Sequence, residues 1–328
     1  SSPEQQPAHW GHVDPRITSA MSAPCLPLPP PLTCGDRVRP VAASSALGDG
    51  EKLQQGLAVL RGWGLEIDDN PHLPERRWGY LAGRDAERAA DLQALAGDGV
   101  ALHACARGGW GAARLLEQPL RQPEGWLLGF SDVTSLLWAR VAAGQAGGVH
   151  GPLLTTLAAE PAWSQERLRA LLFGEAVPDL EAVGWRAGMA EGPLLVANLT
   201  VATHLLGTPH LPALKGAILV LEDVGEAPYR IERMLTHWRL CGALQQLAGL
   251  AFGSFEGWRE ADGRADEPAD HRFDLDQVLR ERSLDLGIPV VAHLPVGHSP
   301  GNAALPLGVA ARLDGARGRL TLLAGDRA

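Results

Sequence analysis

The chemistry-bearing residues of this 328-residue chain begin with Ser131, in the stretch LLGFSDVTSLLWA at 127–139. An apolar run breaks there at Gly129 and resumes as a helix, so Ser131 stands on a strand-to-helix turn, as an N-cap or as a nucleophile. The stretch departs from the GxSxG elbow because Val133 occupies the second glycine position. The helix that starts after Ser131 nevertheless offers the backbone N–H of Asp132 to a developing oxyanion. RGGWG at 107–111 is a second glycine-rich turn, and it reads either as another N–H donor or as a plain connection. A nucleophilic serine needs a base and a group that orients the base. Glu222 closes the apolar strand AILVLED, and His298 lies in PVGHSPGN, a Gly/Pro-rich loop with no core to fill. Glu222 and Asp223 are adjacent, and strand alternation sends them to opposite faces, so one of the two can meet His298.

The elements that must carry these residues alternate. RVRPVA (37–42), LEIDD (65–69), GVALHACA (99–106) and GWLLGF (125–130) read as strands. EKLQQGLAVLRGWG (51–64), with Leu53, Leu57 and Leu60 on one face, and DAERAADLQALAGD (85–98) read as helices. Strands and helices in this rhythm predict an α/β fold with a mostly parallel sheet, whose ligands bind at the carboxyl ends of the strands. Residues 1–30, rich in Pro and Ser, are expected to be a disordered tail, with Met21 as a candidate start. An N-terminal α/β domain then spans 31–160, and 161–192, aperiodic and Pro/Gly-punctuated, reads as a linker. KGAILVLEDVG, a helix over 227–244, and strands at LAGLAFGSF, IPVVAHLP, LGVAARLD and GRLTLLA give a smaller, strand-rich α/β domain over 193–328.

Composition removes whole classes of function. A net charge of −9 argues against a nucleic-acid partner, which needs clustered Lys and Arg. No apolar run approaches the roughly 20 residues of a membrane span, and no signal-peptide pattern opens the chain, so a cytoplasmic protein is expected. The four cysteines (Cys25, Cys34, Cys105, Cys241) form no CxxC pair and read as free thiols of a reducing compartment. The eleven histidines show no metal-ligand spacing, so neither a metal nor another cofactor is expected.

Taken together, LLGFSDVTSLL, LVLEDVGEAPYRIERML, GHSPGNAALPLG and CARGGWGAARLLE resemble the signature blocks of the LD-carboxypeptidase family of serine peptidases. That family includes muramoyl-tetrapeptide carboxypeptidases and microcin C immunity proteins. The resemblance runs from about Pro31 to the C-terminus and takes in CGDRVRPVAASSA, LAGRDAERAADLQAL, HGP at 150–152 and ANLTVATHLLGTP at 197–209. It implies a flavodoxin-like N-terminal domain, a triad of Ser131 as nucleophile, Glu222 as orienting carboxylate and His298 as base, and an oxyanion hole of the Asp132 and Gly109 N–H groups. It also implies a murein peptide as substrate, with release of terminal D-alanine from an L,D-bond during peptidoglycan recycling. Two positions depart from the pattern: Trp110 stands where Tyr is common, and Arg39 and Pro40 interrupt the first strand. Arg107 and Arg230 lie nearest the motifs as partners for a substrate carboxylate, each equally readable as a structural ion pair, and Trp110 reads as a pocket wall. His150 competes with His298 for the role of base. An immunity-type hydrolase of acyl-adenylates, with Trp163 or Trp185 stacking on adenine, and an inactive peptide-binding module are the rival readings. The oligomeric state stays open, a homodimer among the alternatives.

Overall fold

Residues 22–93, 97–257, 268 and 273–323 are described by the computed structural model of this chain. The first half builds β1 (Arg37–Val41), α1 (Gly50–Gly62), β2 (Glu66–Ile67), α2 (Asp85–Ala90), β3 (Val100–Cys105), β4 (Trp126–Gly129), α3 (Thr134–Ala142) and β5 (Gly148–His150). The five strands are parallel in the order β2-β1-β3-β4-β5, the flavodoxin-like arrangement. Its strand order reverses between β1 and β3, and the loops that leave those two strands form the crevice where such sheets bind ligands. Asp49 caps α1 through the Glu51 N–H, and Leu53, Gly56, Leu57 and Leu60 form its buried stripe. The first strand runs unbroken through Pro40, with one shift of register against β3 between Arg37 and Val38. β2 pairs only with Arg37 and Val38, which leaves one flank of β1 free beyond them, and such a flank accepts a residue without an N–H. Arg39 ion-pairs with Asp68 at 2.8 Å and Asp98 at 3.1 Å.

The chain continues through α4 (Leu154–Leu157), α5 (Ala162–Leu172), β6 (Leu180–Glu181), β7 (Val183–Arg186), β8 (Met189–Asn198), α6 (Leu199–Leu205), β9 (Ile218–Glu222), α7 (Pro228–Leu240), β10 (Gly249–Phe252), α8 (Leu275–Ser283), β11 (Val290–Ala292), β12 (Leu305–Pro306), β13 (Ala310–Asp314) and β14 (Arg319–Leu322). Among the described residues, a second sheet runs β6-β14-β13-β8-β9-β10-β11-β7, with β8 to β11 parallel to one another. β6 and β7, one residue apart in sequence, lie on opposite edges, so this short segment draws the two edges of the sheet together. β12 leaves that half of the chain and pairs antiparallel with β5, Leu305 opposite His150.

Three expectations change. The segment 161–192 is not aperiodic: it holds α5, β6, β7 and the first residues of β8. The period of α5 is masked because its inner face buries Ser164 and Arg167 among leucines, the Arg167 guanidinium donating to Ala304 O at 2.9 Å and Pro178 O at 2.6 Å. Residues 22–30 of the expected tail lie on the body, where Leu26 N donates to Gly308 O at 2.7 Å and Trp126 Nε1 to Pro30 O at 3.1 Å. Prolines preset this stretch as an extended strap, which lowers the entropy cost of laying it down. Residues 1–21 lie outside the described residues. The helix expected over 85–98 stops at Ala90, because Asp91 turns in to accept from Arg76 and from Ala42 N; residues 94–96 lie outside the described residues.

Val41, Leu127, Leu136 and Trp138 from the first half share one apolar core with Leu195, Leu219, Leu221 and Trp238 from the second. Trp138 and Trp238 meet edge-on at 6.2 Å, and Trp138 Nε1 donates to Val196 O at 2.9 Å. The two sheets are therefore packed through this core, and the crevice opens between them.

Candidate active site

β4 ends at Gly129, Phe130 is extended, and Ser131 takes a φ of +62° before a 3₁₀ turn over Ser131–Val133 leads into α3. A non-glycine residue in the left-handed region costs on the order of 1–3 kcal/mol and persists where its surroundings enforce it. Here the enforcement is packing: a Cβ at Gly129 would stand 2.7 Å from Val133 Cγ1, so glycine at 129 is what admits valine at 133. The Ser131 hydroxyl stands at no N-cap position, since Phe130 caps the turn and Val133 caps α3. It stands 3.1 Å from His298 Nε2.

His298 Nδ1 lies 2.8 Å from Glu222 Oε2. An ionised carboxylate only accepts, so Nδ1 carries the proton and Nε2 faces the serine as an acceptor. Glu222 is fully buried at the end of β9, with Asn198 Nδ2 donating to its Oε1 at 3.3 Å. Burial raises the Glu222 pKa, but the imidazoles of His150 and His298 outweigh it and leave the carboxyl below its ordinary value. Burial lowers the His298 pKa, and the bond to Glu222 with the charge of Glu222 and Asp223 overcomes it, so the imidazole titrates above the usual histidine range. Asp223 is not bonded to His298: its Oδ2 accepts from Thr200 N at 2.9 Å and Thr200 Oγ1 at 2.6 Å, and its Oδ1 from the same Asn198 Nδ2 at 3.2 Å. His150 is also fully buried, edge-on to Phe130, with Nε2 3.8 Å from Glu222 Oε1, beyond hydrogen-bond reach. It faces the carboxylate, whereas His298 is the histidine bonded to Ser131. Phe130 packs on both rings, 4.7 Å from that of His298.

A cavity of about 200 Å³ opens over Ser131, lined by Arg107, Gly108, Gly109, Glu160, His298 and neighbours. Gly109 has a φ of +99°, and a Cβ there would stand 2.1 Å from Ser45 Oγ, so only glycine fits this turn. Ser45 Oγ in turn accepts from Trp110 N at 3.0 Å. Asp132, next in sequence to Ser131, is not among the lining residues, and its side chain turns away, Oδ2 accepting from Ser44 Oγ at 2.6 Å and Ala112 N at 2.9 Å. Arg107 lines the cavity and donates to Ala46 O. Trp110, 44% exposed, follows Gly109 in the chain but is not among the lining residues. Arg230 is not among the lining residues; on α7 it bonds Tyr229 Oη at 3.1 Å and pairs with Glu226 at 3.7 Å. Trp185 is packed under Arg280 and against Phe252. A larger cavity of about 550 Å³, lined by Phe252, Phe255, Leu279 and Leu294, lies behind the His298 loop and does not reach Ser131. Among the described residues, no group of three His, Cys, Asp or Glu side chains could hold a metal ion.

Asn198 and Glu160 were not legible as site residues. Asn198 sits in the block ANLTVATHLLGTP, whose only local signal is a helix cap, and it does cap α6 through the Val201 N–H at 3.1 Å. Glu160 falls at the edge of the stretch that reads as a linker.

A serine on a strained turn, bonded through an imidazole to a buried carboxylate on an α/β scaffold, is the side-chain arrangement of serine hydrolases. The chain belongs to the LD-carboxypeptidase family: the N-terminal domain of that family matches residues 38–151 and its C-terminal domain residues 191–313. A Synechocystis sp. protein with a provisional carboxypeptidase name is 45% identical over 90% of this chain and 97% of its own length. The murein tetrapeptide carboxypeptidase of Pseudomonas aeruginosa is 34% identical over 86% of this chain and 94% of its own. The crystal structure of muramoyltetrapeptide carboxypeptidase from Oxalobacter formigenes superposes with a TM-score of 0.75 at 27% identity, covering 89% of this chain and 99% of that one.

Proposed function

We propose that this chain is a serine carboxypeptidase that cleaves the L,D-peptide bond of murein tetrapeptides and releases terminal D-alanine. The observation that carries the reading is the pair of hydrogen bonds linking Ser131 Oγ, His298 and Glu222. In this mechanism Ser131 Oγ attacks the scissile carbonyl carbon while His298 Nε2 takes its proton. The N–H groups of Asp132 and Gly109 receive the charge that develops on the carbonyl oxygen. His298 then returns the proton to the amine of the departing D-alanine, and a water activated by the same imidazole hydrolyses the acyl-enzyme. Glu222 fixes the tautomer and stabilises the imidazolium. Arg107, on the cavity wall, pairs with the substrate's terminal carboxylate, and Trp110 borders the same site. Arg230, with its own neighbours on α7, keeps the structural role.

The relatives' names support a murein peptide as substrate, and we assign the reaction to peptidoglycan recycling. Among the described residues no helix is long and apolar enough to cross a membrane, and we place the activity in the cytoplasm. Structures of the microcin C7 self-immunity protein superpose with a TM-score of 0.78 at 20% identity, a likeness of fold alone. Incubation with a murein tetrapeptide and, separately, with an aminoacyl-sulfamoyl adenosine tests the reading: release of D-alanine supports it, and hydrolysis of the second compound alone replaces it.

A further inference from the structure

His298 is the one member of the hydrogen-bonded chain that sits in a loop, between β11 and β12, and its 3.1 Å approach to Ser131 is as exact as that loop is fixed. From its own half of the chain, the loop is held by Ser254 N donating to Val296 O at 2.8 Å and by Gly297 N donating to Asn302 Oδ1 at 3.0 Å. The other flank is gripped from the first half. Glu160, between α4 and α5, accepts on one carboxylate oxygen, Oε2, from both Gly301 N at 2.8 Å and Asn302 N at 3.0 Å. Ser164 Oγ donates to Asn302 O at 2.8 Å. The Trp163 ring lies flush on Gly301, where a Cβ would stand 2.7 Å from Trp163 Cζ2 and φ is +96°. Glycine at 301 is thus what lets two successive N–H groups converge on one oxygen. Bonds from main-chain N–H to a carboxylate are about twice as strong as neutral ones, so Glu160 is the strongest member of this grip.

We infer that Glu160 is a positioning residue for His298, setting from the opposite half of the molecule the loop register that brings the imidazole to Ser131. The inference rests on the roles given above to Ser131 and His298. It makes Glu160 act through the loop and not on substrate, which separates it from a binding residue of the same cavity.

The test uses the full chain and two readouts: steady-state kinetics on a murein tetrapeptide, and the labelling rate of Ser131 by a fluorophosphonate, whose phosphorus bonds Ser131 Oγ as fluoride leaves and the hydroxyl proton passes to the base, and which needs a placed base but no peptide recognition. Glu160→Ala is expected to slow labelling and kcat together by about 10- to 100-fold, the scale of an ångström-sized misplacement, with KM nearly unchanged. Glu160→Gln, which keeps an acceptor at the same reach, is expected to recover most of both rates. If Glu160→Ala does not fold, Glu160→Asp, its carboxylate withdrawn by one methylene, carries the same expectation. A folded Ala or Asp variant labelled at the wild-type rate overturns the inference, as does a Gln variant as slow as Ala. Unlabelled wild-type protein overturns both this inference and the roles it rests on. Wild-type labelling without tetrapeptide turnover rejects the proposed substrate alone, and the variants' labelling rates then decide the role of Glu160.

Discussion

His298 has its proton affinity set by two opposed effects, burial and the Glu222 carboxylate, and the carboxylate wins. A base works when neutral, so kcat/KM is expected to rise with pH through a midpoint above the ordinary histidine value. Glu222→Gln keeps the burial and removes the charge, so the acid limb should move to lower pH while kcat falls by roughly 10²- to 10⁴-fold. Asp223→Asn should cost far less kcat, because that carboxylate serves Thr200 and the start of α6. pH–rate profiles of both variants check this; a limb that stays in place in Glu222→Gln, or a greater loss from Asp223→Asn, would contradict the assignment. At this scale much of the site was legible. The motif position singles out Glu222, although β9 ends there and the neighbouring Asp223 shares its Asn198 donor, and the Gly/Pro context of His298 marks a constrained turn. Asn198 was not legible, because a cap and a carboxylate partner use the same amide and the sequence displays only the first.

Elements position the site through close approaches that glycine permits. Gly56 on α1 is one: a Cβ there would stand 1.9 Å from Leu154 O, so α1 and α4 touch main chain to main chain. Gly→Ala inside a helix ordinarily gains about 1 kcal/mol from propensity. Here overpacking is expected to reverse the sign and cost about 1–3 kcal/mol. Urea denaturation of Gly56→Ala measures it, and a stabilised variant would refute the close packing. The same scale shows where sequence reading stops. Strong apolar stripes such as that of α1 and clear runs such as β9 declare themselves. α5 does not, since a buried arginine that satisfies its donors on Ala304 O and Pro178 O looks, in sequence, like a surface residue. β6 and β7 are too short to show a period, and their role in drawing the second sheet's edges together is a property of long-range pairing.

The whole molecule brings Ser131 from the first half and Glu222 and His298 from the second into one hydrogen-bonded chain, and the apolar core that runs from Leu136 and Trp138 to Leu219 and Trp238 joins the two halves. Because neither half keeps that core alone, the chain is expected to unfold in one transition, with far-ultraviolet signal, tryptophan fluorescence and activity lost together. A separate early loss of either half would contradict a shared core. The central claim is that Ser131, delivered by one half, is the nucleophile activated by His298 from the other. Its most direct test is mass spectrometry of a murein tetrapeptide incubated with wild-type protein and with Ser131→Ala, each confirmed folded by circular dichroism. The account predicts conversion to tripeptide and free D-alanine by the wild type and none above background by Ser131→Ala; near wild-type turnover by the variant would contradict it.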